Sequence, residues 1–540
     1  MMAGASTTGA SCPAGHSAGV AACGPVGPIA STGGAFLKDS YGRDLILHGV
    51  DAVYKHAPYE LYVDPGKPWN FTAADAKAIA SLGFDMVRLG ILWKGIEPGT
   101  LAPNSPQICT PGLPGHANQW NASIAKSYIS KVKETVDLLG KYGIFSLVDM
   151  HQDVYNEMFA GEGAPNWAVC TDGLPATNTG NWSANYAEPA VGVTYNHFWN
   201  NDVIGNLQGN YDRAWRMVAK SFAGNRYVLG YDLFNEPFST EVFSVGGAAE
   251  FDARLECFYT GSAHPGSLSG SPVPLTCPPT DPAEGAIPTI RSVDPTHPIF
   301  YEPDVSSDFG NADWIGPMPY KHLVLNFHDY CLAASFYTGF RSSSPVCPTQ
   351  EQQAFSSQAT ARTNAADKQN PGGPAWFMSE FGAEPANTDL ADMVAFANEH
   401  LVGWAYWQWK YYNDPTGGPS EGLASTGANG APIVHQGRAA MLSEPYAQAT
   451  AGTPLAMSYD PSTDIFSYSY QPNHRITQPT VVFVPTYRHY PRGYCALAEG
   501  ARVTSAPGST HLTLVAGRAS SLVTLRIVPA PCGALPATLS

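Results

Sequence analysis

Charge is scarce in this chain. Asp, Glu, Lys and Arg make up 14% of residues, against about 25% in a typical globular protein. Lys plus Arg number 29 and Asp plus Glu 45, a formal net charge of −16. A nucleic-acid partner is thereby excluded, because phosphate binding needs a positive footprint. No run of 18 apolar residues occurs, so no membrane-spanning helix is expected. No Cys-x-x-Cys and no zinc-like Cys/His spacing is present, which argues against a structural metal site. The first 30 residues carry neither a basic segment nor a continuous apolar stretch; an export signal is not visible there.

Apolar material is plentiful. Hydrophobic residues reach 44% of 540, enough for a large core and an appendage, with no sign of a charge-driven disordered chain. Ten cysteines lie in Pro-, Gly- and Ser-rich stretches, the pattern of disulfides in an oxidising, extracellular compartment. The expected pairs are Cys257–Cys277, Cys331–Cys347 and Cys495–Cys532, followed by Cys109–Cys170 and Cys12–Cys23.

Eight short apolar runs bounded by turn signals alternate with helical patterns. They are Leu45–Val53, Met86–Leu89, Ile144–Met150, Val228–Phe234, Ile299–Pro303, Leu323–Phe327, Ala375–Ser379 and Gly403–Trp407. Buried parallel strands read this way. Helices are expected over Ala73–Leu82, Ile124–Tyr142 and Tyr211–Ala223. Eight such units predict an α/β fold, a (β/α)8 TIM barrel with functional residues at the C-terminal strand ends. A doubly wound open sheet would show Gly-x-Gly-x-x-Gly after its first strand, and none is there.

Beyond about Pro445 the runs are short, alternating and rich in β-branched and aromatic residues: Met457–Tyr459, Ile465–Tyr470, Thr480–Pro485, His511–Val515 and Ser521–Val528. These predict a C-terminal antiparallel β-sandwich. The expected division is 1–35, a Gly/Ala/Ser-rich segment; 36–446, the catalytic barrel; and 447–540, the sandwich.

Two strand ends carry a Glu just past an apolar run: Asn235-Glu236-Pro237 after the fourth and Ser379-Glu380-Phe381-Gly382 after the seventh. Both would stand at the barrel mouth, facing one another. Two opposed carboxylates are the minimum machinery for cutting a glycosidic bond, one donating a proton and the other attacking or activating water. Each motif alone is weak; the pair at matching strand ends is not. The third run ends Asp149-Met150-His151-Gln152-Asp153, with Asp149, His151 and Asp153 in one direction if the strand stays extended. Asp149 and His151 are expected to bond sugar hydroxyls; the alternatives are a metal or a polar network that orders the mouth. Arg88 would orient Glu380, and Tyr330, after His328, would hold the same carboxylate. Among Trp404, Tyr406, Trp407 and Trp409, Trp407 is favoured as the flat face for a pyranose ring.

Together, Arg88, Asn235-Glu236-Pro237, His328-Asp329-Tyr330 and Ser379-Glu380-Phe381-Gly382 resemble the family 5 glycoside hydrolases. The likeness spans about residues 36–446. It implies a retaining mechanism, with Glu236 as acid/base and Glu380 as nucleophile, and no metal or organic cofactor. Gly49-Val50-Asp51-Ala52-Val53-Tyr54-Lys55, the run Asp149 to Glu157, Gly161 to Ala168, and Cys331 after Tyr330 are similar to the endoglycoceramidases within that family. Asp51 departs from the Asn expected there. The resemblance implies release of intact oligosaccharide from ceramide in glycosphingolipids such as gangliosides and lactosylceramide. Lys55, Arg88, Asp149, His151, Asn235, His328, Tyr330 and Trp407 would then bind substrate.

A lipid leaving group needs an apolar groove. Tyr155, Met158, Phe159, Pro165, Trp167 and Val169 are candidates for one wall. Phe238, Val242, Phe243, Leu332, Phe336 and Tyr337 are candidates for the other. The same residues would equally pack loops onto the barrel. The competing readings are a β-glucanase, a β-glucosidase or another glycolipid glycosidase on the same barrel, and a non-catalytic glycan- or lipid-binding protein. A secreted monomer making transient contact with membrane surfaces or micelles is expected.

Overall fold

The computed structural model describes residues 25–61, 70–99, 120–201, 206–244, 246–261, 285–331, 346–383 and 387–532. Eight parallel strands close into a barrel. In order they are His48–Ala52, Met86–Ile91, Phe145–Met150, Val228–Asp232, Ile299–Tyr301, Leu323–Asp329, Ala375–Phe381 and Gly403–Tyr406. The eighth pairs back onto the first. Every residue of these strands is buried, which is why they read as apolar runs without alternation.

The expected helices form at Ala73–Ser81, Ala122–Gly140 and Leu207–Phe222. Local chemistry starts them. The Thr72 hydroxyl accepts from the Ala74 N–H, and the Asp75 carboxylate accepts from the Thr72 N–H. Asn121 accepts from the N–H groups of Ser123 and Ile124. Each side chain satisfies amides that the helix itself cannot.

Beside a two-stranded antiparallel sheet, Ala424–Thr426 with Pro432–Val434, two larger antiparallel sheets accompany the barrel. One has four strands, Gly452–Asp460, Ile465–Pro472, Val523–Pro529 and Tyr494–Glu499 in spatial order. The other has seven and draws on both ends of the chain. Ile29–Gly33, Phe36–Asp39 and Asp44–Leu45 lie at one side, and Tyr446–Thr450, Thr480–Phe483, His511–Ala516 and Ala501–Val503 complete it. The division at 36 therefore changes: residues 36–45, expected in the barrel, pair into the sandwich through Leu45 opposite Ala449. Phe466, Tyr468 and Tyr470 meet Val482, Phe483, Leu525 and Ile527 in one core between the sheets.

The sandwich plugs the N-terminal end of the barrel. Leu37, Leu45, Ala449 and Val481 pack with Met86, Phe145, Leu229 and Phe377. The His48 ring lies between those of Trp404 and Tyr446, at 4.2 and 3.7 Å. That end is sealed, so the C-terminal strand ends are left to carry the site.

Disulfides Cys331–Cys347 and Cys495–Cys532 are present. Cys170 and Cys257 are also disulfide-bonded, while their expected partners Cys109 and Cys277, and the pair Cys12–Cys23, lie outside the described residues. Among those residues no helix is long and apolar enough to cross a membrane.

Candidate active site

Glu236 and Glu380 stand at the ends of the fourth and seventh barrel strands. One carboxylate oxygen of each, with one ring nitrogen of His328, lie within 4.8 Å of one another. Both are buried, with residual exposures of 8% and 5%. A little solvent therefore reaches each carboxylate, but neither is free in water.

Glu380 is held on both oxygens. The Arg88 Nη1 donates to Oε2 at 2.9 Å and the Tyr330 hydroxyl to Oε1 at 2.6 Å. Burial, together with the Glu380 charge, pushes the Tyr330 phenol well above its ordinary value, so it stays a donor.

Glu236 is supported differently. His328 Nδ1 lies 3.0 Å from its Oε1. Burial raises its carboxyl to about 7, with the nearby Glu380 adding to the rise and His328 opposing it. Such an acid keeps its proton near neutrality. Its backbone has φ +45°, an uncommon conformation for a residue with a Cβ.

Arg88 is sealed from solvent and sits at the centre of the barrel mouth. Its Nε meets Asp232 at 2.9 Å. Its Nη1 meets Glu380 at 2.9 Å and Asp51 at 3.6 Å. Its Nη2 meets Asn235 at 2.8 Å, Glu302 at 3.0 Å and Asp149 at 3.2 Å. Too many carboxylates crowd one guanidinium for all to ionise. Burial pushes Asp51 and Asp232 well above the usual carboxylate range. For Glu302 burial acts the same way, but His328 and Arg88 outweigh it and hold the group below its ordinary value. For His328, burial is outweighed by Glu302 and Glu380, which keep the imidazole cationic.

A second cluster lies beside the first. Lys55 Nζ reaches Asp153 at 2.6 Å, the Thr416 hydroxyl at 2.6 Å, Asp414 at 3.1 Å and Glu162 at 3.5 Å. It also stands 4.6 Å from the centre of the Trp407 ring. The His151 ring stacks against Trp407 at 5.3 Å. Its Nδ1 lies 2.8 Å from Asp149. Burial would lower the His151 imidazole, yet Asp149 and Asp153 raise it to about 10. Trp407 Nε1 donates to Glu421 at 3.1 Å.

The expected site residues thus fall into two sets. Glu236, Glu380, Tyr330 and Trp407 retain a trace of solvent contact, whereas the Lys55 side chain is enclosed among Asp153, Thr416, Asp414 and Glu162. Arg88, Asp149 and His328, expected to touch the sugar, are enclosed, and all three Arg88 nitrogens already face protein groups; these residues hold the others in place. For Asp149 the polar-network alternative describes its contacts, namely Arg88 and His151. Asn235 and His151 are nearly enclosed as well. Asn235 Oδ1 accepts from Arg88 and its Nδ2 donates to the Gln152 carbonyl at 2.8 Å, which leaves one Nδ2 hydrogen uncommitted.

Three residue groups have metal-like spacing among the described residues. In His151, Asp153 and Glu162 the Lys55 ammonium occupies the cationic position. In Cys170, Asp172 and His197 the sulfur is in a disulfide, so no thiolate is offered. The third is the Glu236, His328 and Glu380 group itself.

Sequence reasoning missed Glu302, which receives the Glu236 N–H at 2.8 Å as well as contacting Arg88. It follows the fifth barrel strand, so the strand-end rule that found Glu236 and Glu380 also points to it. Gln152, Asp414, Thr416 and Glu421 were missed too; the last three come from an irregular loop without a pattern.

The expected groove also changes. Tyr155, Phe159, Pro165, Trp167, Val169 and Phe238 are core residues, because the insertion after the third strand folds back as aromatic packing around Phe198 and Tyr211. Phe243 is 73% exposed, and Met158 and Val242 are half-buried. Leu332, Phe336 and Tyr337 lie outside the described residues.

Comparison with known proteins agrees with this geometry. A family model described as cellulase (glycosyl hydrolase family 5) matches residues 58–413, and one for the glycoside hydrolase family 5 C-terminal domain matches 445–527. Endoglycoceramidase I of Rhodococcus hoagii is 28% identical over 533 residues, covering 93% of this chain and 89% of its own. An endoglycoceramidase of Hydra vulgaris is 25% identical over 490 residues, with 85% and 80% covered. The solved ganglioside GM3 complex of endo-glycoceramidase II from Rhodococcus sp. superposes with a TM-score of 0.66 at 25% identity, covering 92% of this chain and all of that one.

Proposed function

Because the chain belongs to glycoside hydrolase family 5, we propose that it is a retaining endo-glycosidase that separates intact oligosaccharide from ceramide in glycosphingolipids. The observation that carries the chemistry is the approach of the Glu236 and Glu380 carboxylates to within 4.8 Å. That bound applies to one oxygen of each carboxyl; it suits the close pair of a retaining enzyme, about 5–5.5 Å between carboxyl groups, better than the roughly 6.5–9.5 Å that an inverting enzyme leaves for a water.

Glu380, oriented by Arg88 and Tyr330, attacks the anomeric carbon of the sugar joined to ceramide. Glu236, protonated near pH 7, gives its proton to the departing ceramide oxygen. It then takes a proton from the water that opens the glycosyl-enzyme. The free Nδ2 hydrogen of Asn235 bonds the sugar 2-hydroxyl, a contact that strengthens in the transition state. Trp407 lies under the ring, its plane set by Lys55 and His151 packed against it. No resident metal or organic cofactor enters this scheme.

The lipid specificity rests on the endoglycoceramidase relatives, which align over barrel and sandwich together. The disulfides suit a secreted enzyme, which acts as a monomer and meets its substrate at membrane surfaces or in micelles. The test is the products. Lactosylceramide in detergent yields intact lactose and free ceramide by mass spectrometry; cleavage of cello-oligosaccharides with the glycolipid untouched contradicts the reading.

A further inference from the structure

Glu236 occupies a left-handed backbone conformation and precedes a proline, a combination that needs outside support. The support is specific. The carbonyls of Asn235 and Glu236 both accept from one group, Gln152 Nε2, at 2.8 and 3.1 Å. The opposite end of the same amide is also occupied: Gln152 Oε1 accepts from the Tyr155 N–H at 2.9 Å and from the Tyr195 hydroxyl at 2.5 Å. Gln152 is buried, so each of these bonds forms away from competing water.

The surroundings fix its stem. Gly163 has φ +127°, and a Cβ there would lie 2.4 Å from the Gln152 Cβ; only glycine lets the returning loop close on this side chain. Tyr195 lies on the helix Pro189–Asn200, inside the insertion after the third barrel strand. One amide therefore joins that insertion to the turn that carries Glu236.

We propose that Gln152 is a positioning residue for the acid/base, through which the insertion anchored at Tyr195 sets the aim of the Glu236 carboxyl. The proposal rests on the reading of Glu236 as proton donor. Gln152 touches no reacting atom; it fixes the two peptide groups from which Glu236 projects. A displacement of about 1 Å in such a group costs on the order of a hundredfold in rate, and only in steps that need the proton.

The experiment measures kcat/KM of the full chain on lactosylceramide and on dinitrophenyl lactoside, whose leaving group departs without a proton. Gln152→Met keeps the volume and removes the amide. Its expected loss is about thirtyfold or more on the glycolipid and less than about threefold on the aryl glycoside. Added azide, which needs no general base, speeds turnover of the aryl glycoside by the variant. Tyr195→Phe deletes one hydroxyl and shows the same split at smaller size; it decides the matter if Gln152→Met does not fold. Glu236→Ala is measured alongside. If it shows the split while Gln152→Met and Tyr195→Phe lose both activities equally or lose none, the positioning role is overturned and the acid survives. If Glu236→Ala itself loses both equally, the acid assignment falls and this proposal with it.

Discussion

Glu236 and Glu380 approach within 4.8 Å yet have unlike partners. Glu380 accepts from a guanidinium and a phenol, contacts that suit an anion. Glu236 faces a single imidazole nitrogen in a buried setting that raises its carboxyl to about 7. Two chemically identical side chains are thereby assigned different tasks by their surroundings.

The first consequence is a pH profile. The acid is protonated below about pH 7, so kcat/KM on lactosylceramide holds there and falls about tenfold per unit above it. On dinitrophenyl lactoside the same limb is absent. A limb of equal steepness on both substrates contradicts the assignment.

Stability follows the same group with a worked sign. Its folded pKa is raised above the ordinary value, so Glu236 favours the folded state least once pH exceeds about 7. Glu236→Gln removes the charge while keeping the shape. It raises the melting temperature at pH 8.5 and leaves it nearly unchanged at pH 5. A gain of the same size at both pH values contradicts this.

Asp51 stands where asparagine is expected, fully buried beside Arg88 with neither carboxylate oxygen hydrogen-bonded. Burial pushes it well above the usual range, so it enters the site as a neutral acid and an amide replaces it closely. Asp51→Asn changes kcat/KM by less than about threefold. A loss of a hundredfold would show that the carboxyl acts in the reaction.

The Lys55 ammonium fills the place a cation would take among Asp153, Glu162 and Asp414. EDTA therefore leaves activity unchanged. Lys55→Met, by contrast, leaves buried carboxylates without their cation and lowers stability by about 3–5 kcal/mol, read as an earlier denaturant midpoint. A collapse in EDTA that added divalent metal reverses would contradict this account.

Much of the barrel was legible because its strands are buried on both faces and bounded by turns; the helix expected from Ile124 begins instead at Ala122, where Asn121 caps it. Glu236 and Glu380 stood out because each ends an apolar run. Glu302 follows a strand of only three residues and gave a weaker version of the same signal. Pairing of Asp44–Leu45 with Tyr446–Thr450 spans some four hundred positions and leaves no local trace. Tyr155 and Trp167 were ambiguous for another reason: an aromatic in a loop looks the same whether it lines a groove or closes a core, and only the aromatic packing around Phe198 decides. The hub role of Arg88 likewise exists only once five strand ends are brought around it.

The whole mechanism turns on Glu380 attacking the anomeric carbon. The most direct measurement is the intact mass of the protein after incubation with 2-deoxy-2-fluoro-lactosyl fluoride, followed by peptide mapping. One added fluorolactosyl group is expected on Glu380 and none in Glu380→Gln, with a loss of turnover of about a thousandfold or more in that variant. A label on another residue, or a Glu380→Gln variant within about tenfold of the parent, would contradict it.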